Sequence, residues 1–254
     1  MAEVALRTEG LSRMFGGLAA VSEVALECRT GRLHAVIGPN GAGKTTLINL
    51  LSGDLAPSAG RIEILGRDVT GLAPHRISQL GVGRSYQRTN IFMRFTAFEN
   101  CRLAAQSRLP SSMRFLRPAA RYREVNEAAA AALALAEMTS RENIVAEELS
   151  HGERRQLEVA MTLATRPSVL LLDEPLAGMG AEEAARMVEL LRKLAPGHAI
   201  LLVEHDMDAV FALADTLTVM VNGAVLASGA PAEIRANRQV QDAYLGEDAQ
   251  APAT

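Results

Sequence analysis

The sequence predicts an α/β protein with a mostly parallel sheet, an antiparallel β layer beside it and a helical subdomain inserted into it. Three observations carry that expectation. A glycine-rich run, Gly38-Pro39-Asn40-Gly41-Ala42-Gly43-Lys44-Thr45-Thr46, lies between a short apolar strand pattern and a helical one. Strand and helix patterns alternate again from Val169 onward, the order that builds a parallel sheet with helices on its faces. Between them, from about Arg88 to Ala146, the chain turns helical, and its alanine-rich part, Ala119–Met138, has no strand signal.

The elements follow in order. The first 30 residues read as strands with a turn at Gly16-Gly17, and Arg61–Leu65 as another short strand closed by Gly66-Arg67-Asp68. These form the antiparallel layer. Leu33–Ile37 reads as a buried strand, and Lys44–Ser52 as a helix with Leu47, Ile48 and Leu51 on one face and Gly53 as its stop. Pro110 and Pro118 bracket a basic connector with Arg114 and Arg117 inside the helical region. Val169–Leu172 is a second buried strand. Ala181–Ala195 is a helix with Glu182 and Glu183 in its first turn and Arg192 and Lys193 in its last, which suits the helix dipole. Ile200–Val203 is the next strand, and Asp206–Ala214 a helix. Asn222-Gly223 is a hairpin turn between Thr218–Val221 and Ala224–Ala227, and Pro231 opens a last short helix.

Bulk properties exclude several classes. The chain has 254 residues, 48% hydrophobic and 22% charged, an ordinary globular composition with enough length for a sizeable core. A net charge of −3 gives no support for binding nucleic acid through phosphate neutralisation. Cys28 and Cys101 are the only cysteines, too scattered for a disulfide scaffold or a zinc cluster, and fit a reduced, cytoplasmic compartment. The longest apolar run, Ala128–Ala136, lies between Glu127 and Glu137 and falls short of the ~20 residues that span a bilayer. Met1-Ala2-Glu3-Val4 shows neither the basic start nor the apolar core of a signal peptide. Work at a membrane would therefore mean docking onto something that spans it.

The glycine-rich run fits G-x-x-x-x-G-K-[ST], so the core reads as a P-loop NTPase. Its glycines let backbone N–H groups converge on an anion, Lys44 reaches the β- and γ-phosphates, and the Thr45 hydroxyl can ligand Mg²⁺. The following helix points its N-terminus at the phosphates. The apolar run Val169-Leu170-Leu171-Leu172 ends in Asp173-Glu174. Paired with the phosphate loop, Asp173 is placed to hold Mg²⁺ and Glu174 to orient or deprotonate the attacking water. Leu149-Ser150-His151-Gly152-Glu153 contains Ser150-x-x-Glu153, a capping box for the helix Arg154–Ala164. That structural role is compatible with a functional one, because a serine-capped helix start beside a glycine presents donors to a γ-phosphate.

With these residues in view, the chain resembles the ATP-binding subunit of an ABC transporter over nearly its whole length. Leu149–Glu153 resembles the LSGGQ signature, departing at His151 and Glu153. Gln87, in Ser85-Tyr86-Gln87-Arg88, sits where the family's Q-loop begins. His205, in Val203-Glu204-His205-Asp206, matches the switch histidine, and Phe15 the aromatic that stacks on adenine. Phe15-Gly16-Gly17-Leu18, Gly83–Asn100, Glu174-Pro175-Leu176-Ala177-Gly178-Met179 and Ala243-Tyr244-Leu245-Gly246-Glu247 resemble the branched-chain (hydrophobic) amino acid importers. Urea and amide importers share much of this pattern, and lipopolysaccharide-export ATPases share the Tyr-Leu-Gly-Glu ending. Gly180 stands where many members carry the Asp of the D-loop, the segment after Glu174.

The resemblance implies one ABC ATPase domain over 1–254. Residues 1–87 and 160–254 would form the nucleotide-binding core with its antiparallel layer, and 88–159 the helical subdomain carrying the signature. It implies a head-to-tail dimer, with itself or a paralogue, around two ATP molecules. Ser150 and Gly152 would contact the γ-phosphate on the partner's phosphate loop. Thr45, Gln87 and Asp173 would surround Mg²⁺, while Glu174 and His205 position the water. It further implies permease subunits in the membrane, a solute-binding protein acting indirectly, and a peripheral place on the cytoplasmic face. A soluble ABC ATPase in assembly is the competing reading. An unrelated P-loop kinase would leave Leu149–Glu153 and His205 unexplained.

Overall fold

The computed structural model describes residues 3–85, 90–109 and 122–248. The first strands, β1 (Val4–Phe15) and β2 (Leu18–Arg29), form a long hairpin through Gly16-Gly17. β3 (Arg32–Ile37) leads into the phosphate loop and α1 (Lys44–Leu51). β4 (Ala59–Ile64) and β5 (Arg67–Asp68) return to the hairpin, giving a four-stranded antiparallel sheet in the order β2-β1-β4-β5.

α2 (Pro74–Gln79) and β6 (Val82–Arg84) come next. Neither is legible as a motif. β6 has three residues, one a glycine, and exists as a strand only because it pairs in parallel with β7 (Val169–Asp173). The helical region is less continuous than its composition suggests: α3 (Ala97–Gln106) begins only at Thr96, whose side chain and Glu99 form a reciprocal capping box. The residues before it are held open by Asn100, fully buried, which accepts from the Phe92 amide at 2.8 Å and donates to the Phe92 and Thr96 carbonyls. α4 (Arg123–Leu135) and α5 (His151–Ala164) pack with α3 as a three-helix unit.

Behind β7 follow α6 (Ala181–Leu194), β8 (Ala199–Val203), α7 (Met207–Leu213), β9 (Thr216–Val221) and β10 (Ala224–Gly229), then α8 (Pro231–Ala236) and α9 (Arg238–Asp248). The second sheet has six strands in the order β10-β9-β3-β8-β7-β6, parallel throughout except for the β9–β10 hairpin. That hairpin turns at Asn222 (φ 49°) and Gly223 (φ 81°), two left-handed residues, as an Asn-Gly turn requires. β7 and β8 are buried at every position, which explains their unbroken Val, Ile and Leu runs. One face of the parallel sheet buries its core against the helices, while the other closes over α1 and the antiparallel sheet. The α/β class with a mostly parallel sheet, an antiparallel layer and a helical insert is what the sequence predicted.

Candidate functional site

The site gathers at one sheet edge for a topological reason. β3, β8 and β7 are adjacent and parallel, with Val36 beside Val203 and Val203 beside Asp173. Their C-terminal ends therefore release the phosphate loop, Glu204-His205 and Asp173-Glu174 side by side, where parallel α/β sheets bind ligands. β6 releases Ser85 at the same edge: its amide donates to the Leu171 carbonyl at 3.0 Å and its hydroxyl accepts from the Asp173 amide at 3.3 Å. Gln87 lies outside the described residues.

The phosphate loop is wedged between two hairpins. The Gly223 amide donates to the Ala42 carbonyl at 3.0 Å, and the Ser22 amide to the Gly223 carbonyl at 2.8 Å. Gly43 (φ 99°) ends the loop, and a Cβ there would lie 2.3 Å from the Ala20 carbonyl oxygen, so only glycine fits. Asn40 and Gly41 are exposed at the loop's crest; Gly38 and Ala42 are buried beneath, with Pro39 between these extremes, and Thr45 and Thr46 half-buried in the first turn of α1. Lys44 folds back over its own loop, donating from Nζ to the Gly38 carbonyl and, at 2.9 Å, to the Pro39 carbonyl. The loop thus holds a buried cation beside a helix start with open N–H groups, a cradle for anionic oxygens.

Asp173 is buried, and neither carboxylate oxygen has a hydrogen-bond partner among the described residues. Burial pushes its pKa from 3.8 up to about 6, with Glu174 adding to the rise while Arg84 and Lys44 oppose it. Two orphaned, buried anionic oxygens are costly unless a cation meets them, and they fit a divalent metal. Among the described residues no group of three His, Cys, Asp or Glu side chains gathers as a metal cage. Magnesium here would lean on Asp173, Thr45 and phosphate oxygens, the sparse protein coordination that ion usually has.

Glu174 sits in the left-handed region (φ 50°), its amide bonded to the Val203 carbonyl at 2.9 Å. The residue is half-buried at the strand end. A non-glycine residue with such a backbone costs about 1–3 kcal/mol and persists only where neighbours hold it. His205, at the end of β8, has a side chain 65% exposed with Nδ1 3.8 Å from Glu204. Phe15 is exposed at the tip of the β1–β2 hairpin, with the Arg13 guanidinium 4.8 Å from its ring centroid.

The signature segment lies at the start of α5, and no hydrogen bond joins it to the phosphate loop among the described residues. Ser150 caps α5, accepting from the Glu153 amide at 3.1 Å while Glu153 accepts from the Ser150 amide at 2.9 Å. The Ser150 hydroxyl also donates to Glu183 at 3.1 Å. That carboxylate lies over Gly152, so a Cβ on Gly152 would come within 2.3 Å of it. His151 Nε2 is 3.2 Å from the Ala177 carbonyl, and a Cβ on Gly178 (φ 75°) would meet the same nitrogen at 2.9 Å. One departure from the family pattern, His151, therefore packs on the segment that contains another, Gly180. Gly180 itself has an ordinary φ of −71° and open space where a side chain would be.

Three residues escaped the sequence reading. Arg84 staples β6 to the end of α1, donating to Asn49 and Ser52 at 2.6 Å each and pairing with Asp54. Glu183 reads as a first-turn acid, and only the fold brings it to Ser150. Glu204 carried a signal: it ends the apolar run Leu201-Leu202-Val203 as Asp173 ends Leu170-Leu171-Leu172.

The chain matches known proteins over nearly its whole length. An ABC transporter family model matches residues 21–177, and a branched-chain amino acid ATP-binding cassette transporter model matches 224–250. The high-affinity branched-chain amino acid transport ATP-binding protein BraF of Pseudomonas aeruginosa is 40% identical, covering 97% of this chain and 100% of its own. LivG of Escherichia coli, described in the same words, is 37% identical with the same coverage. A nucleotide-free ATP-binding cassette from an ABC transporter superposes with a TM-score of 0.86 at 28% identity, over 95% of this chain and 99% of that one. An ATP-binding cassette of an ABC transporter in its ADP conformation gives 0.85 at 28% identity, over 96% and 99%.

Proposed function

The chain belongs to the ABC transporter family of ATP-binding cassettes, and from that premise we propose that its ATPase activity energises import of branched-chain or similar hydrophobic amino acids through partner permeases. The observation that carries the chemistry is Asp173, whose two carboxylate oxygens stand buried and without a hydrogen-bond partner among the described residues, within electrostatic reach of Lys44 at the mouth of the phosphate loop. The relatives BraF and LivG support the solute class, as does the C-terminal match at 224–250.

In this reading the core is 1–87 with 160–254 and the helical insert is 88–159. The loop amides from Gly38 to Thr46 wrap the phosphates of ATP, and Lys44 exchanges its carbonyl partners for the β- and γ-phosphates. Phe15 offers its exposed ring to adenine. Thr45, Asp173 and Gln87 hold Mg²⁺, which would neutralise phosphate charge. Glu174 orients or deprotonates the water, and His205 senses the γ-phosphate. Phosphoryl transfer asks mainly for positioning and charge neutralisation, and these residues supply both. Ser150 and Gly152 serve the ATP held by a second subunit, a reading supported by the lack of any hydrogen bond from them to their own phosphate loop among the described residues. No helix among the described residues is long and apolar enough to cross a membrane, which suits a subunit docked peripherally on the cytoplasmic side.

The test is to tag the chain, solubilise native membranes in mild detergent and identify what co-purifies. A pair of hydrophobic permeases, with or without a second ATPase, is expected. A purely soluble partner with nothing from the membrane would overturn the transporter reading.

A further inference from the structure

Glu204 is fully buried at the end of β8, and its two carboxylate oxygens divide between two loops. Oε1 accepts from the Leu176 amide at 2.8 Å, and Oε2 from the His205 amide at 3.2 Å. Leu176 lies two residues beyond Glu174, so one side chain ties the segment of Glu174 to the segment of His205. Burial raises the Glu204 pKa, while the two amide donors and His205 oppose that rise. A carboxylate is a costly choice for such a place unless charge-assisted bonds are needed there.

Glu174 shows the need. Its left-handed backbone has to be held from outside, and among the described residues three bonds hold it and the turn after it: its amide to the Val203 carbonyl at 2.9 Å, its carbonyl from the Ala177 amide at 3.2 Å, and the Leu176 amide to Glu204. Glu204 supplies the only side chain among them. We propose that Glu204 is a positioning residue for ATP hydrolysis, its buried carboxylate setting the Glu174 and His205 loops in one joint arrangement. This inference rests on the roles assigned to Glu174 and His205. Glutamine has Glu204's shape but one carbonyl oxygen, so it accepts one amide and turns its NH₂ toward the other, which loses its partner. Aspartate is one methylene too short to serve both.

The experiment measures hydrolysis and nucleotide binding for Glu204→Gln, Glu174→Gln and the double variant, in the complex that co-purifies with the full-length chain. Glu204→Gln is expected to lower kcat about tenfold, as small misplacements of reacting groups do, with KM and the affinity for a fluorescent ATP analogue unchanged within about twofold. The double variant is expected to lose less than the product of the two single losses, because Glu204 acts partly through the Glu174 carboxylate already replaced and partly through His205. Leu6→Ala, in the antiparallel sheet, is the control for stability: with its thermal midpoint lowered, it is expected to keep kcat. Wild-type turnover by Glu204→Gln overturns the proposal, as does a double variant in which the two losses multiply. A loss of nucleotide affinity in place of kcat also overturns it. Normal turnover by Glu174→Gln is a different failure: it removes the assigned role of Glu174 and this inference with it.

Discussion

The starts of α1 and α5 are both helix N-termini offering N–H groups, and the fold leaves them in opposite conditions. Around α1 the needs are unmet among the described residues: Asp173 is buried with two oxygens that have no hydrogen-bond partner there, and Lys44 rests on carbonyls of its own loop. Around α5 the Ser150 hydroxyl and the Ser150 and Glu153 amides are satisfied within the chain, by the Ser150–Glu153 capping box and by Glu183 on the Ser150 hydroxyl. The first region is built to take a ligand by completing itself. The second has to exchange a protein contact for a ligand contact. This difference suits a division of labour in which one end binds nucleotide tightly and the other engages only when a second subunit delivers its ATP.

The sharpest way to break the comparison is at Glu174. Glu174→Gln is expected to keep ATP binding and slow hydrolysis by about 10²–10⁴, the usual worth of a positioned general base. A steady-state phosphate-release assay beside an equilibrium binding assay checks both halves, and turnover at the wild-type rate sinks the assignment. Lys44→Ala comes next. Charge-assisted bonds to phosphate are worth about 1.5–3 kcal/mol, so ATP affinity is expected to fall roughly 10–100-fold. Calorimetric titration reads this directly, and an unchanged affinity would remove the phosphate-loop reading.

Asp173 tests whether the α1 region is really incomplete. Its pKa in the folded chain is raised, from 3.8 to about 6. The sign follows: a raised group lends the fold stability that is fully present below 3.8 and lost as pH rises through about 6. Near neutral pH the ionised carboxylate therefore destabilises the nucleotide-free chain. Asp173→Asn is expected to raise nucleotide-free stability by on the order of 1–3 kcal/mol near pH 7.5, with the difference shrinking toward pH 5. Denaturant unfolding at the two pH values measures it. A variant less stable than wild type at neutral pH would mean that something in the chain already satisfies that carboxylate.

How much of this was legible follows from what sets each feature. The phosphate loop was readable because its function lies in consecutive backbone groups, and Gly43 is dictated by a neighbour at 2.3 Å that admits no other residue. The Ser150–Glu153 capping box was readable for the same local reason. Asp173 was readable through burial, since a carboxylate closing an apolar strand calls for a cation. What stayed hidden depends on distant pairing. β6 is a strand only beside β7. Glu183 meets Ser150 across 33 positions and Glu204 meets Leu176 across 28, and no periodicity encodes such contacts.

The smallest effect belongs to Glu183. Its carboxylate lies over Gly152 and holds the Ser150 hydroxyl, the two groups assigned to the partner's γ-phosphate. Two anions cannot share that hydroxyl, so on the proposed roles closure of the dimer on ATP would move Glu183 aside. The carboxylate is screened by solvent at the surface, where such interactions are worth about 0.2–1 kcal/mol. Glu183→Gln keeps a hydrogen-bonding side chain while removing the charge, so the ATP concentration for half-maximal dimer formation is expected to fall about two- to fivefold. Sedimentation in the Glu174→Gln background, where ATP persists, is the measurement. A dimer that forms less readily would show Glu183 to be a support that closure keeps, and the contrast between the two helix starts would have to be redrawn.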